Sequence, residues 1–150
     1  MTEALLQQLG ISDKGDFVDK VYEKIEDKSL RVNFLSKMLF EAAAKNDRVA
    51  SGILRDIGKS YAGGISCMID ELQYSREEDL HIIFAGSNFV KGEHPLLLDT
   101  IKEAISATHG DYRIKYTLLE VPPVAGAAIW AFNILGNGAL RDKIRGQLKR

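Results

Sequence analysis

The sequence predicts a helix-rich α/β fold with few strands, and three observations lead there. Residues 1–73 carry successive stretches with apolar side chains at helical spacing. The short run Leu80-His81-Ile82-Ile83-Phe84-Ala85 then empties into Gly86-Ser87-Asn88, as a strand ending in a turn does. A helical stretch, an alternating apolar/polar stretch and a second apolar helix follow, in the order of a strand–helix–strand–helix unit.

The 150 residues, 45% of them hydrophobic, suffice for one globular domain with a substantial core, so 1–150 is read as a single domain. A net charge of −1 supplies no general attraction for nucleic acid or an anionic membrane. Cys67 is the one cysteine, which excludes an internal disulfide and a cysteine cluster for zinc. No run approaches the roughly 18 apolar residues of a membrane span, and the N-terminus does not read as a signal peptide. The expected location is the cytoplasm.

Taken in order, residues 2–9 form a short helix stopped by Gly10, and Ser12 or Asp13 is placed to cap a second one carrying Phe17, Val21, Tyr22 and Ile25. A third helix over 30–45 aligns Leu30, Phe34, Leu35, Met38, Leu39, Ala42 and Ala43. Asn46-Asp47 breaks it, and Asp47 is a good N-cap for a long fourth helix over 48–73. There Val49, Ile53, Ile57, Tyr61, Ile65, Met68 and Leu72 recur at steps of four or three. Gly63-Gly64 in mid-helix predicts close packing against a neighbouring backbone.

After a charged turn at 75–79, the strand over 80–85 is read as buried, parallel and covered on both faces. Pro95 opens a helix whose apolar face is Leu97, Leu98, Ile101 and Ile105. Gly110-Asp111 turns the chain into a strand near 112–118, where Ile114, Tyr116 and Leu118 alternate with Arg113, Lys115 and Thr117. Pro122-Pro123 ends it and opens a small-residue apolar helix with Trp130 and Phe132 as core. Gly136-Asn137-Gly138 precedes a basic, solvated terminal helix. Two strands alone make a marginal sheet, so the segment reads as part of a larger α/β fold.

Gly86 is the expected ligand position. Glycine reaches backbone angles closed to other residues, and open α/β sheets bind ligands just beyond the carboxyl ends of their strands. The remaining polar candidates have plainer roles. His81, His94 and His109 lack metal-ligand spacing, with His81 in a strand and His94 in a loop before a helix. Asp47 and Asp99 read as capping or solvated carboxylates, Lys91 as a solvated loop lysine, and Cys67 as a buried inert thiol. Catalytic and metal-ligating residues are assigned to none of them.

The succession Asn46-Asp47…Ala50, Ile82-Ile83-Phe84-Ala85-Gly86-Ser87-Asn88-Phe89-Val90-Lys91-Gly92, Pro95-Leu96-Leu97 and Pro122-Pro123-Val124-Ala125-Gly126-Ala127-Ala128 resembles the C-terminal half of the BadF/BadG/BcrA/BcrD ATPase family. That family includes bacterial N-acetylglucosamine kinases and belongs to the actin-like, sugar-kinase and Hsp70 superfamily. The likeness runs over residues 16–135. It implies a ribonuclease-H-like lobe, the second of two that close on ATP, with Gly86, Ser87 and Asn88 contacting the adenosine and the helix after Pro122-Pro123 packing under that loop. Where the family often has Gly-Gly or Gly-Ser-Val, this sequence has Gly-Ser-Asn, which keeps the backbone role and leaves the Asn88 side chain without a family counterpart.

The resemblance also implies ATP and Mg²⁺ as cofactors, with the metal ligands expected from an N-terminal lobe. The phosphate loop Asp-x-Gly-x-Thr/Ser and the catalytic aspartate of the superfamily have no match here. The string Asp13-Lys14-Gly15-Asp16 lacks both the preceding strand and the hydroxyl. Phosphoryl transfer depends on metal and charge placed around the γ-phosphate, so this segment alone is not expected to be a competent kinase. The implied function is the C-terminal lobe of an ATP-dependent sugar (N-acetylglucosamine-like) kinase or related ATPase. Its expected partners are the nucleotide, a sugar in the complete enzyme, and a second copy or the N-terminal lobe, with no nucleic acid and no membrane. The rival is a non-catalytic binding or dimerisation module left by truncation or gene splitting.

Overall fold

The computed structural model describes residues 2–92, 94–119, 121–136 and 138–148. Along the chain run α1 (Thr2–Leu9), α2 (Phe17–Glu26), α3 (Val32–Ala44), α4 (Arg48–Leu72), β1 (Asp79–Phe84), α5 (Ser87–Val90), α6 (Leu96–His109), β2 (Arg113–Leu118), α7 (Pro123–Ile134) and α8 (Gly138–Leu148). The fold is thus helix-rich α/β, with four helices ahead of the strand–helix–strand–helix unit. Its contacts gather into two compact units, Met1–Glu78 with Gly92–Tyr112 and Asp79–Lys91 with Arg113–Arg150.

In the first unit, Gly10 adopts a φ of +66° and stops α1, so that Leu6, Leu9, Ile11 and Leu30 close into a small core. Phe17, Val21 and Ile25 of α2 pack against it, with Phe34 and Leu35 of α3. Neither Ser12 nor Asp13 caps α2. Asp13 accepts a 2.8 Å hydrogen bond from the Gly15 N–H and closes a local turn, leaving Asp16 at the N-cap without a side-chain bond. Asp47 does cap α4, its Oδ1 accepting from the N–H groups of Val49 and Ala50, each at 3.0 Å.

Helix α4 packs against α3 and α6. The face it buries is Ala50, Leu54, Gly58, Ala62 and Ile69, and α6 answers with Leu97, Thr100, Ile101, Ile105 and His109. Small residues on that face let the axes approach closely. The apolar stripe read from the sequence lies elsewhere: Val49, Ile53, Ile57, Tyr61, Met68 and Leu72 are all exposed. Two apolar faces share one helix, and periodicity alone names the bulkier one.

Two further expectations on α4 are corrected. The helix runs unbroken through Gly63 and Gly64, and a Cβ at either would meet nothing within 4 Å, so close packing belongs to Gly58 instead. Cys67 is exposed, because its position falls off the buried face. Beyond α4, Arg76 pairs with Asp111 at 2.9 Å and lies 5.6 Å over the Tyr112 ring, which meets His109 edge-on at 5.9 Å. This charged and aromatic set closes the end of the α4–α6 pair.

In the second unit, β1 and β2 pair in parallel with Asp79 opposite Arg113 and Phe84 opposite Leu118, and the Leu119 N–H extends the ladder to the Phe84 carbonyl at 2.8 Å. Strand β1 is not covered on both faces as expected. Leu80 and Phe84 are buried and Ile82 is half-buried, while His81 and Ile83 face outward, Ile83 with 61% of its surface exposed. Along β2 the predicted alternation holds through Tyr116 and fails at Leu118, which is exposed.

Helix α7 begins behind Pro122 with Pro123 at its first position, as proline's fixed φ favours, and it packs along α8. Trp130 is 68% exposed rather than core, and Phe132 is half-buried. A largely apolar helix cannot bury its whole circumference against the single face that α8 offers. In α8, Lys143 and Arg145 are exposed and Arg141 is half-buried; Asn137, Lys149 and Arg150 lie outside the described residues.

Candidate functional site

The predicted ligand loop sits where β1 ends. Phe84 closes the strand, Ala85 leaves it, and Gly86 takes φ +107° and ψ 163°, a backbone region open essentially to glycine alone. That conformation reverses the chain into α5, whose turn is held by the N–H groups of Phe89 and Val90 bonding the Gly86 carbonyl at 3.1 Å each, and by the Lys91 N–H bonding the Ser87 carbonyl at 2.8 Å. Gly86, Ser87 and Asn88 are therefore one continuous feature, with Ser87 and Asn88 as its first helical residues rather than an irregular loop.

Beneath the turn lies an aromatic support that motif reading overlooked. The Phe89 ring is 5.2 Å from the Phe84 ring, and Phe84 stacks on Tyr116 of β2 with centroids 6.0 Å apart and planes 8° apart. The signal was available, since Tyr116 was on the inward side of the predicted alternation and Phe89 follows the strand's last residue by one turn. These rings set the height and tilt of the turn.

Above it the surface is open. Ala85, Gly86, Ser87 and Asn88 are all exposed, and a Cβ built on Gly86 would meet nothing within 4 Å. A flat, uncharged group could therefore lie against the Gly86 backbone, with the Ser87 hydroxyl and Asn88 amide offering donors and acceptors beside it.

The other candidates sort into structural roles. His94 lies in the loop before α6, as expected, and its Nδ1 accepts a 3.2 Å bond from the Leu96 N–H that opens the helix. His81 is exposed on β1, and His109 is buried at the end of α6. Lys91 and Asp99 are exposed. Among the described residues, no group of three or more His, Cys, Asp or Glu side chains could hold a metal ion. The donors present do not fit a Mg²⁺ site. Nor, among the described residues, is any helix long and apolar enough to cross a membrane.

The chain is similar to the N-acetyl-D-glucosamine kinase of Dictyostelium discoideum. Identity is 25% over 133 residues, which are 89% of this chain and 40% of that kinase. The match supports a sugar-kinase-like relationship. It also makes this chain comparable to a portion of a kinase, since it spans two-fifths of the relative's length. No family model and no solved structure matches the chain.

Proposed function

We propose that the chain acts as the C-terminal, nucleotide-binding lobe of an ATP-dependent sugar kinase of the BadF/BadG/BcrA/BcrD type, with a partial ribonuclease-H-like fold, and that Gly86, Ser87 and Asn88 form one wall of the adenosine pocket. The observation that carries this reading is Gly86 itself. It holds a glycine-only conformation at the carboxyl end of a parallel strand, uncovered on its outer side, in a chain similar to a kinase over most of its length.

The work assigned to the chain is positioning. The backbone at Gly86 receives the adenine or ribose at van der Waals distance, while Ser87 and Asn88 orient it by hydrogen bonds. The aromatic trio below keeps that wall rigid, so little ordering is needed on binding. Mg²⁺ and the charged groups that steady a transferring phosphoryl would come from the rest of a kinase-length enzyme, because this chain's described residues hold no metal cluster. The sugar acceptor, N-acetylglucosamine in the relative's name, would likewise be bound largely by the other lobe.

One wall of a pocket binds weakly, with a Kd on the order of millimolar, near −4 kcal/mol. Amide chemical-shift titration of the chain with ATP tests the assignment. ATP at millimolar concentration should move the resonances of Gly86, Ser87 and Asn88 first, and Gly86→Val should remove the effect while circular dichroism shows the helices intact. Shifts confined to other regions, or equal responses of both proteins, would overturn it.

A further inference from the structure

We propose that the cleft between the end of α2 and the start of α3 binds a small phosphate monoester with an apolar body. The site belongs to the first unit and does not depend on the assignment of the Gly86 turn. The cleft holds about 490 Å³, within the range of small-molecule sites. One side of it is polar, with Lys24, Ser29, Arg31 and Asn33, and the other is apolar, with Leu9, Leu30 and Phe34. Leu9 and Leu30 are buried members of the small core, and Phe34 is half-buried against it. The apolar side is therefore a packed floor rather than a set of loose side chains.

The polar side carries two cations. Among the described residues, neither Lys24 nor Arg31 is held in an ion pair, and no acidic side chain lines the cleft. Asp27, in the same turn, is engaged by the Ser29 N–H at 2.8 Å. The Lys24 carbonyl accepts from the Leu30 N–H at 2.8 Å and from the Ser29 hydroxyl at 3.3 Å, which ties the loop carrying Arg31 to the end of α2. Asn33, in the first turn of α3, adds an amide donor. A phosphate monoester matches this set, because near neutral pH it carries a charge of about −1.5 to −2 on three acceptor oxygens. The Arg31 guanidinium can take two of those oxygens at once and the Lys24 ammonium the third. The apolar floor receives the organic body, which separates this site from one for inorganic phosphate. Ser29, Arg31 and Asn33 are exposed, so water and salt screen the charges and keep the affinity modest.

Amide chemical-shift titration of the whole chain tests this with phenyl phosphate, inorganic phosphate and benzoate as probes. Ionic strength is held constant and the pH kept at about 7.5, where the phosphate is largely a dianion. Phenyl phosphate should saturate with a Kd on the order of millimolar and move the amides of Ser29, Arg31 and Asn33 while Gly86 stays unshifted. Inorganic phosphate, lacking the apolar body, and benzoate, with a single charge, should each bind at least about fivefold more weakly. Lys24→Gln and Arg31→Gln should each weaken phenyl phosphate roughly fivefold with the circular dichroism unchanged, and Arg31→Lys should restore part of the loss. The proposal is overturned by an absence of saturation, by shifts spread evenly over exposed lysines and arginines, or by shifts centred on Gly86. It is equally overturned if inorganic phosphate or benzoate binds as tightly as phenyl phosphate, or if either glutamine variant binds like the native chain.

Discussion

Gly58 of α4 and Thr100 of α6 meet so closely that a Cβ on Gly58 would stand 2.9 Å from Thr100 Cβ and 3.3 Å from the Leu97 carbonyl oxygen. Thr100 cannot easily withdraw, because its hydroxyl donates to the Leu96 carbonyl at 2.7 Å. Gly58→Ala should therefore gain about 0.5–1 kcal/mol of helix propensity and lose about 1–3 to overpacking. A net fall of about 1–2 kcal/mol, several degrees in Tm, is the expected result. Gly63→Ala, on open helix surface, should raise stability by about 0.5–1 kcal/mol. Denaturant melts of the two variants check the pair, and equal signs would contradict the packing.

Phe84 is the pivot of the second unit, touching Phe89 on one side and Tyr116 on the other. Truncating it to alanine should cost about 3–5 kcal/mol, whereas Phe84→Leu should cost much less by keeping most of the volume. Loss of the near-ultraviolet aromatic signal in Phe84→Ala, with helicity largely retained, would mark local collapse of the ligand turn. An unchanged melt would show that the ring does not support it.

Asp47 satisfies two of the N–H groups that open α4. Asp47→Ala should lower the melting temperature, and Asp47→Asn, which keeps the accepting oxygen, should recover most of the loss. Equal melting of the alanine and asparagine variants would show that the cap does not matter.

The hydrogen bond from Lys115, with the Lys115 and Arg113 charges beside it, holds the Asp79 carboxyl below the usual carboxylate range. A carboxylate depressed in the folded state stabilises above its unfolded value, about 3.9, and that contribution fades as pH falls through the lower folded value. Asp79→Asn should therefore be less stable than the native chain at neutral pH, and the difference should start to shrink below about pH 4 and vanish only below the lowered folded value. Added salt should shrink it, since the pair is at the surface. Melting curves from pH 2 to 7 provide the measurement, and a difference independent of pH would refute the linkage.

Much of this was legible in the amino-acid order because local chemistry decided it. Proline and glycine placed the starts of α7 and the stop of α1, the cap at Asp47 is a contact between near neighbours, and a short apolar run ending in Gly86 announced both β1 and the turn beyond it. Helical period also located α3, α4 and α6. Local strings also suggested a sugar-kinase-like relationship, which the similarity to the Dictyostelium discoideum kinase supports.

Which faces are buried was decided only in three dimensions. Helix α4 offers two apolar faces, and the one that packs is set by which side lets α6 approach, not by which side chains are larger. Small residues at Ala50, Gly58 and Ala62 allow that approach and leave Val49, Ile53, Ile57 and Tyr61 outside. Among the described residues, Ile83 and Trp130 are likewise left exposed, one on a two-stranded sheet and the other on a helix whose main packing is against α8. Hydrophobicity along a chain states what can be buried; only the number and placement of neighbours determines what is.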